Sequence, residues 1–112
     1  IENSEITKKQ GSLLNMPFED DYFDMVYTVE ALEHAVDTEM AVKEMARVTK
    51  KDGVIIVVDK CNDHLGFFSI EECEQWFDEK KLYDLFTKYC KEVKCERLLN
   101  NSGLFCVWKG IV

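Results

Sequence analysis

The sequence predicts an α/β layered fold whose mixed sheet closes with an antiparallel hairpin. Three observations carry that expectation. Short β-branched or aromatic runs alternate with segments of helical periodicity. Val54 to Val58 is an unbroken apolar run of the kind found in a central parallel strand. Asn100-Asn101-Ser102-Gly103 separates two final apolar stretches, and its residues suit a tight hairpin turn.

Taken in order, Ile6 to Gln10 reads as a short edge strand ended by Gly11. Ser12 to Tyr22 is irregular, with a Met-Pro-Phe turn and the acids Glu19, Asp20 and Asp21 in a solvated stretch. Met25 to Val29 is a compact apolar run, expected as a strand buried on both faces. A helix then follows: Asp37 is its N-cap, Glu39 favours its first turn, and Val42, Met45, Ala46 and Thr49 share one face. Glu39 and Lys43 are spaced as an i,i+4 pair, and Asp52-Gly53 makes the turn into Val54 to Val58. Ser69-x-x-Glu72 reads as a capping box, and Asp78 restarts the helix, with Leu82, Leu85, Phe86 and Tyr89 on its apolar face. The closing strands are expected near Val93 to Leu99 and Leu104 to Lys109. The element order is therefore β-β-α-β-α-β-β.

Composition bounds what such a domain can do. The 112 residues allow one domain at most, with 46% hydrophobic residues for a core, one proline and five glycines. A net charge of −8 opposes a nucleic-acid or anionic membrane surface, since phosphates would repel it. Lys80, Lys81, Lys88, Lys91 and Lys94 are the densest basic cluster and read as a solvated face. No apolar run is long enough to span a bilayer. The five cysteines, odd in number and scattered in apolar contexts, read as reduced and mostly buried, which points to the cytoplasm. Cys61-x-x-His64 with Cys73 is too irregular for a zinc site, so no metal is expected.

Four stretches together resemble the "type 11" domain of the class I S-adenosylmethionine-dependent methyltransferases. Gly11-Ser12-Leu13-Leu14-Asn15-Met16-Pro17-Phe18 is similar to that family's Gly-Asp pair and Leu-Pro-Phe turn. Phe23-Asp24-Met25-Val26-Tyr27 looks like its fourth strand, and Glu30-Ala31-Leu32-Glu33-His34 resembles the Leu-Glu-His segment after it. Lys43 to Gly53 is similar to the helix and Lys-Pro-Gly-Gly turn before strand five. Their order and spacing are more specific than any one of them. The resemblance implies a partial Rossmann-like methyltransferase fold, with residues 1–112 forming the C-terminal part of a single domain. The glycine-rich loop that holds the cofactor would then precede Ile1. Two departures stand out: Ser12 replaces the aspartate that orients the adenine, and Lys51-Asp52-Gly53 replaces Pro-Gly.

The function implied is methyl transfer from S-adenosylmethionine to a small-molecule acceptor. By the resemblance, Gly11, Ser12, Leu13, Thr28, Val29 and Glu30 would flank the cofactor. Ligands of open α/β sheets sit beyond the carboxyl ends of the strands, so Thr28, Val29, Glu30 and His34 would face the reacting region. Glu30 and His34 are the candidate catalytic residues, as contacts or proton acceptors. The plainer readings are a solvated loop acid for Glu30 and a hydrogen-bonded structural histidine for His34. Glu33 reads as a helix-start residue favoured by the dipole. Trp76, Phe77, Phe67 and Phe68 either cover substrate or pack helices. The rival function is a non-catalytic methyltransferase-like module kept for dimerisation or regulation. Half of a dehydrogenase is a more distant alternative, disfavoured by the closing hairpin and Leu32-Glu33-His34. In either main case, the strand edge beside Met25 to Val29 is expected to be exposed and to be covered by self-association.

Overall fold

The computed structural model describes residues 6–60, 77–98 and 105–112. Its elements are β1 (Phe23–Val29), a 3-10 turn (Leu32–His34), α1 (Thr38–Val48), β2 (Thr49–Lys60), α2 (Glu79–Thr87), β3 (Glu92–Arg97) and β4 (Phe105–Ile111). The sheet runs β1-β2-β4-β3. β1 is parallel to β2, whereas β4 is antiparallel to both β2 and β3, which gives the mixed sheet and its antiparallel close. The hairpin turn at 100–103 and the capping box at 69–72 lie outside the described residues.

Both helices begin where local chemistry says they should. The Asp37 carboxylate accepts the Met40 N–H at 3.0 Å, and Asp78 accepts the N–H groups of Lys80 and Lys81, each at 3.0 Å. Each helix then lays its apolar stripe on the same face of the sheet. Ala41, Val42 and Met45 of α1 and Leu82 and Phe86 of α2 join Ile55, Val57, Cys106 and Trp108 in one core. The fully buried Trp108 satisfies its indole N–H on the Glu79 carbonyl at 3.0 Å, and Phe77 meets its ring edge-on. Phe77 is thus a packing residue, while Phe67, Phe68 and Trp76 lie outside the described residues.

Four local expectations are corrected. Residues 6–10 are irregular and exposed, because no described strand lies beside them to complete a ladder. β1 is not buried on both faces: among the described strands it is a sheet edge, and Met25, Tyr27 and Val29 are 54%, 66% and 55% exposed on the face that carries no described helix. β2 starts at Thr49, before the expected turn. A register shift between Phe23 and Met25 makes a bulge, with Asp52 in the left-handed region at φ 70°. A Cβ at Gly53 in that bulge would lie 2.8 Å from the Asp24 carbonyl oxygen, so the strands close there only around glycine. Finally, Cys106 is disulfide-bonded, its partner outside the described residues. Only Cys90 and Cys95 are described as free thiols, so the cysteines no longer argue for a reducing compartment. Burial pushes these two thiols up to about 11 and about 12.

Arg47 ties the irregular stretch before β1 to the end of α1. Its guanidinium donates to the carbonyls of Met16 (3.0 Å) and Phe18 (2.9 Å) and to the carboxylates of Asp20 (2.7 Å) and Glu44 (2.6 Å). Glu44 also accepts the Met16 N–H at 2.8 Å, and the Arg47 contact holds its carboxyl below the usual range. The Met-Pro-Phe turn is therefore fixed against the core from one helix face.

Candidate functional site

Because β1 and β2 are parallel, their carboxyl ends lie at the same end of the sheet, and five ionisable side chains converge there. Glu30 leaves β1, Glu33 and His34 lie on the 3-10 turn, and Asp59 and Lys60 finish β2. The Glu30 N–H still donates to the Val58 carbonyl at 2.9 Å, so the ladder extends one residue past β1. Its backbone then turns sharply: φ is +53°, a left-handed conformation that costs a non-glycine residue about 1 kcal/mol.

Lys60 sits among the carboxylates. Its ammonium is 2.5 Å from Glu33 Oε2 and 3.6 Å from Glu30 Oε1. The Glu33 side chain is only 5% exposed, so this contact is what makes its burial tolerable. Asp59 is fully buried, accepting the Glu33 N–H at 3.2 Å on Oδ2 and the Lys60 N–H at 3.0 Å on Oδ1. Burial pushes its carboxyl up to about 6, with the neighbouring Glu33 carboxylate adding to the rise and the two N–H groups opposing it. His34 Nε2 lies 3.5 Å from Glu33 Oε1, with half its side chain in solvent.

Glu30 and His34 are thus linked through Lys60 and Glu33, with Thr28 and Val29 immediately before Glu30 on β1. The Thr28 hydroxyl is buried and has no hydrogen-bond partner, an orphaned polar atom two residues from Glu30. Val29 projects from the open face. Gly11, Ser12 and Leu13 stand apart: among the described residues no hydrogen bond or ion pair joins them to the Glu30 to His34 segment. Ser12 accepts the Leu14 N–H on its hydroxyl at 3.0 Å, which closes its own turn, and Leu13 packs against the core. Gly11 is required by the approach of Pro17, whose Cδ would lie 2.6 Å from an added Cβ.

Asp59 and Lys60 were not singled out from the sequence, and Glu33 was read only as a helix-start residue. The available signal was an Asp-Lys pair ending a β-branched run, polar residues where a buried parallel strand meets a ligand-binding edge.

Two other features lie away from this cluster. A cleft of about 670 Å³ at the amino end of β1 is lined by Lys9, Pro17, Phe18, Tyr22 and Phe23, with the Lys9 ammonium already 5.3 Å over the Phe18 ring. Size alone does not outweigh the convergence of charged groups at the opposite strand ends. Glu79, Cys95 and Cys106 bring three potential metal-ligand atoms within 4.8 Å of one another. Arg97 pairs with Glu79 at 2.7 Å and Cys106 is in a disulfide, which leaves Cys95 as the one free thiol of the three.

The comparisons with known proteins point to one family. The chain is 36% identical over 98 residues to norajmaline N-methyltransferase of Rauvolfia serpentina, covering 88% of this chain and 31% of that protein. It is 38% identical over 78 residues to the chloroplastic tocopherol O-methyltransferase of Arabidopsis thaliana, covering 70% of this chain and 21% of that one. A solved S-adenosylmethionine-dependent methyltransferase from Thermotoga maritima, described as a possible histamine N-methyltransferase, superposes with a TM-score of 0.74 at 24% identity, over 90% of this chain and 61% of its own. The chain therefore spans less than a third of these two curated relatives. No helix among the described residues is long and apolar enough to cross a membrane. Residues 2–57 match the family described as "Methyltransferase domain", and with half its length inside that match the chain belongs to that family.

Proposed function

We propose that this chain is the C-terminal part of a domain that transfers a methyl group from S-adenosylmethionine to a small-molecule acceptor. The observation that carries the reading is the polar cluster at the carboxyl ends of β1 and β2, in a chain of the methyltransferase family. S-adenosylmethionine supplies an electrophilic methyl group on a sulfonium centre. The fit of these residues to that group rests on the orphaned Thr28 hydroxyl and on the half-exposed Glu30 carboxylate that Lys60 holds at the strand end. Glu30 contacts cofactor or acceptor and orients it. His34, exposed and next to Glu33, accepts the acceptor's proton where one must leave. Thr28 and Val29 line the approach, and Gly11, Ser12 and Leu13 flank the adenine. The names of the relatives, an alkaloid N-methyltransferase and a tocopherol O-methyltransferase, favour a small-molecule acceptor. The open edge and face at β1 favour self-association of the isolated chain.

Calorimetric titration of S-adenosylhomocysteine, into this chain and into a longer protein containing it, tests the reading. Binding by the longer protein, with no turnover by the 112 residues alone, is the expected outcome. Binding by neither would move the assignment to a non-catalytic module.

A further inference from the structure

Lys60 and Asp59 occupy positions that stability alone does not explain. A lysine side chain normally keeps its ammonium in water, yet this one is only 13% exposed and lies against two carboxylates. A buried ion pair is seldom better for stability than apolar residues of the same volume, because desolvating both charges offsets their attraction. Replacing Lys60 and Glu33 by well-packed apolar side chains would therefore cost the fold little. It would cost the strand end its geometry. Glu30 is held in a left-handed backbone conformation that a free residue would relax, and its carboxylate is an ion-pair partner of Lys60. Glu33, the second partner, is fixed in turn by its own N–H on Asp59. Three chain segments, up to 30 residues apart in sequence, are thereby locked together at one point.

We propose that Lys60 is a positioning residue for methyl transfer: clamped by buried Glu33, it aims the Glu30 carboxylate beyond the end of β1, while Asp59 anchors the turn that carries Glu33. The inference rests on the methyl-transfer reading for its purpose but not for its geometry. Lys60 touches neither cofactor nor acceptor; it acts through Glu30. Arginine can replace it, since a guanidinium also bridges two carboxylates, whereas methionine of similar length cannot.

The test uses isotope-labelled protein and magnetic resonance. Amide hydrogen exchange at Glu30 and the carboxyl carbon signals of Glu30 and Glu33 are compared in the parent, K60M and K60R, alongside thermal unfolding. In K60M, Glu30 amide exchange should quicken at least tenfold and both carboxyl signals should move, while the melting transition stays cooperative; K60R should return both readouts to the parent values. If K60M does not fold, E33Q is read in its place, with the same acceleration expected at Glu30. Unmoved Glu30 signals in K60M or E33Q, or K60R failing to restore them, would overturn the proposal. S-adenosylhomocysteine affinity of the longer protein reads the function separately: a Glu30 response without any binding leaves the clamp standing and removes the methyl-transfer reading.

Discussion

Full burial beside the Glu33 carboxylate raises the Asp59 carboxyl to about 6, so the folded chain binds a proton there more readily than the unfolded chain does. Its contribution to stability is therefore greatest below the unfolded value of 3.8 and declines as pH rises through about 6. At about 1.4 kcal/mol per unit, the whole effect is roughly 3 kcal/mol. Glu39 and Glu44 work in the opposite sense. The Tyr89 hydroxyl and Lys88 lower the first, Arg47 the second, so their contributions are present above 4.5 and are lost as pH falls. Subtracting D59N from the parent isolates Asp59, because the other carboxyls are common to both. Urea unfolding across the pH range should show D59N gaining on the parent by roughly 2 kcal/mol between pH 4 and pH 7. A difference independent of pH would mean that the carboxyl titrates alike in both states.

At the scale of elements, what could be read from the sequence was what neighbours along the chain determine. Both N-caps were legible because Asp37 and Asp78 act on N–H groups two or three residues away. The apolar stripes of α1 and α2 were legible because helical spacing is local. Ile6 to Gln10 was misread because a strand exists only if a partner lies beside it. The faces of β1 were misread because its composition cannot tell a covered face from an open one. The site divides the same way. Glu30 and His34 follow a strand and were found, but the Lys60–Glu33 contact joins residues 27 apart and leaves no local pattern. Beside its i,i+4 attraction to Lys43, Glu39 also accepts the Tyr89 hydroxyl at 2.8 Å and meets Lys88 at 3.3 Å, contacts about 50 residues away that no local pattern announces. The caps give a direct test. D37A strands the Met40 N–H in the first turn of α1 and should destabilise the chain by about 1 kcal/mol, a drop in Tm of about 4 to 8 °C for a domain of this size. An unchanged Tm by differential scanning calorimetry would show that α1 is held by packing alone.

For the whole molecule, the imbalance lies between the two faces of the sheet. α1 and α2 cover one, and the core lies beneath them. On the other, the register sets Met25, Tyr27 and Val29 beside Val54, Ile56 and Val58, with Val107 and Ile111 continuing the stripe on β4. This apolar surface adjoins the outer edge of β1, which pairs with no other described strand, a combination that soluble monomers usually avoid. Lys109 of β4, opposite Ile56, interrupts the stripe, Glu92, Lys94 and Glu96 of β3 flank its far margin, and on β1 itself the exposed Asp24 is the only charged side chain. The isolated chain should therefore associate as its concentration rises, which sedimentation velocity can follow. Y27K and V29K place charges on the open face and edge and should shift the population toward monomer. Because both side chains are already more than half exposed, Tm should change little. A parent that stays monomeric at high micromolar concentration would show that water alone suffices to cover this face. If the lysine variants instead lose the fold together with the association, β1 must depend on its partner for structure, and the open face would be part of the folding core.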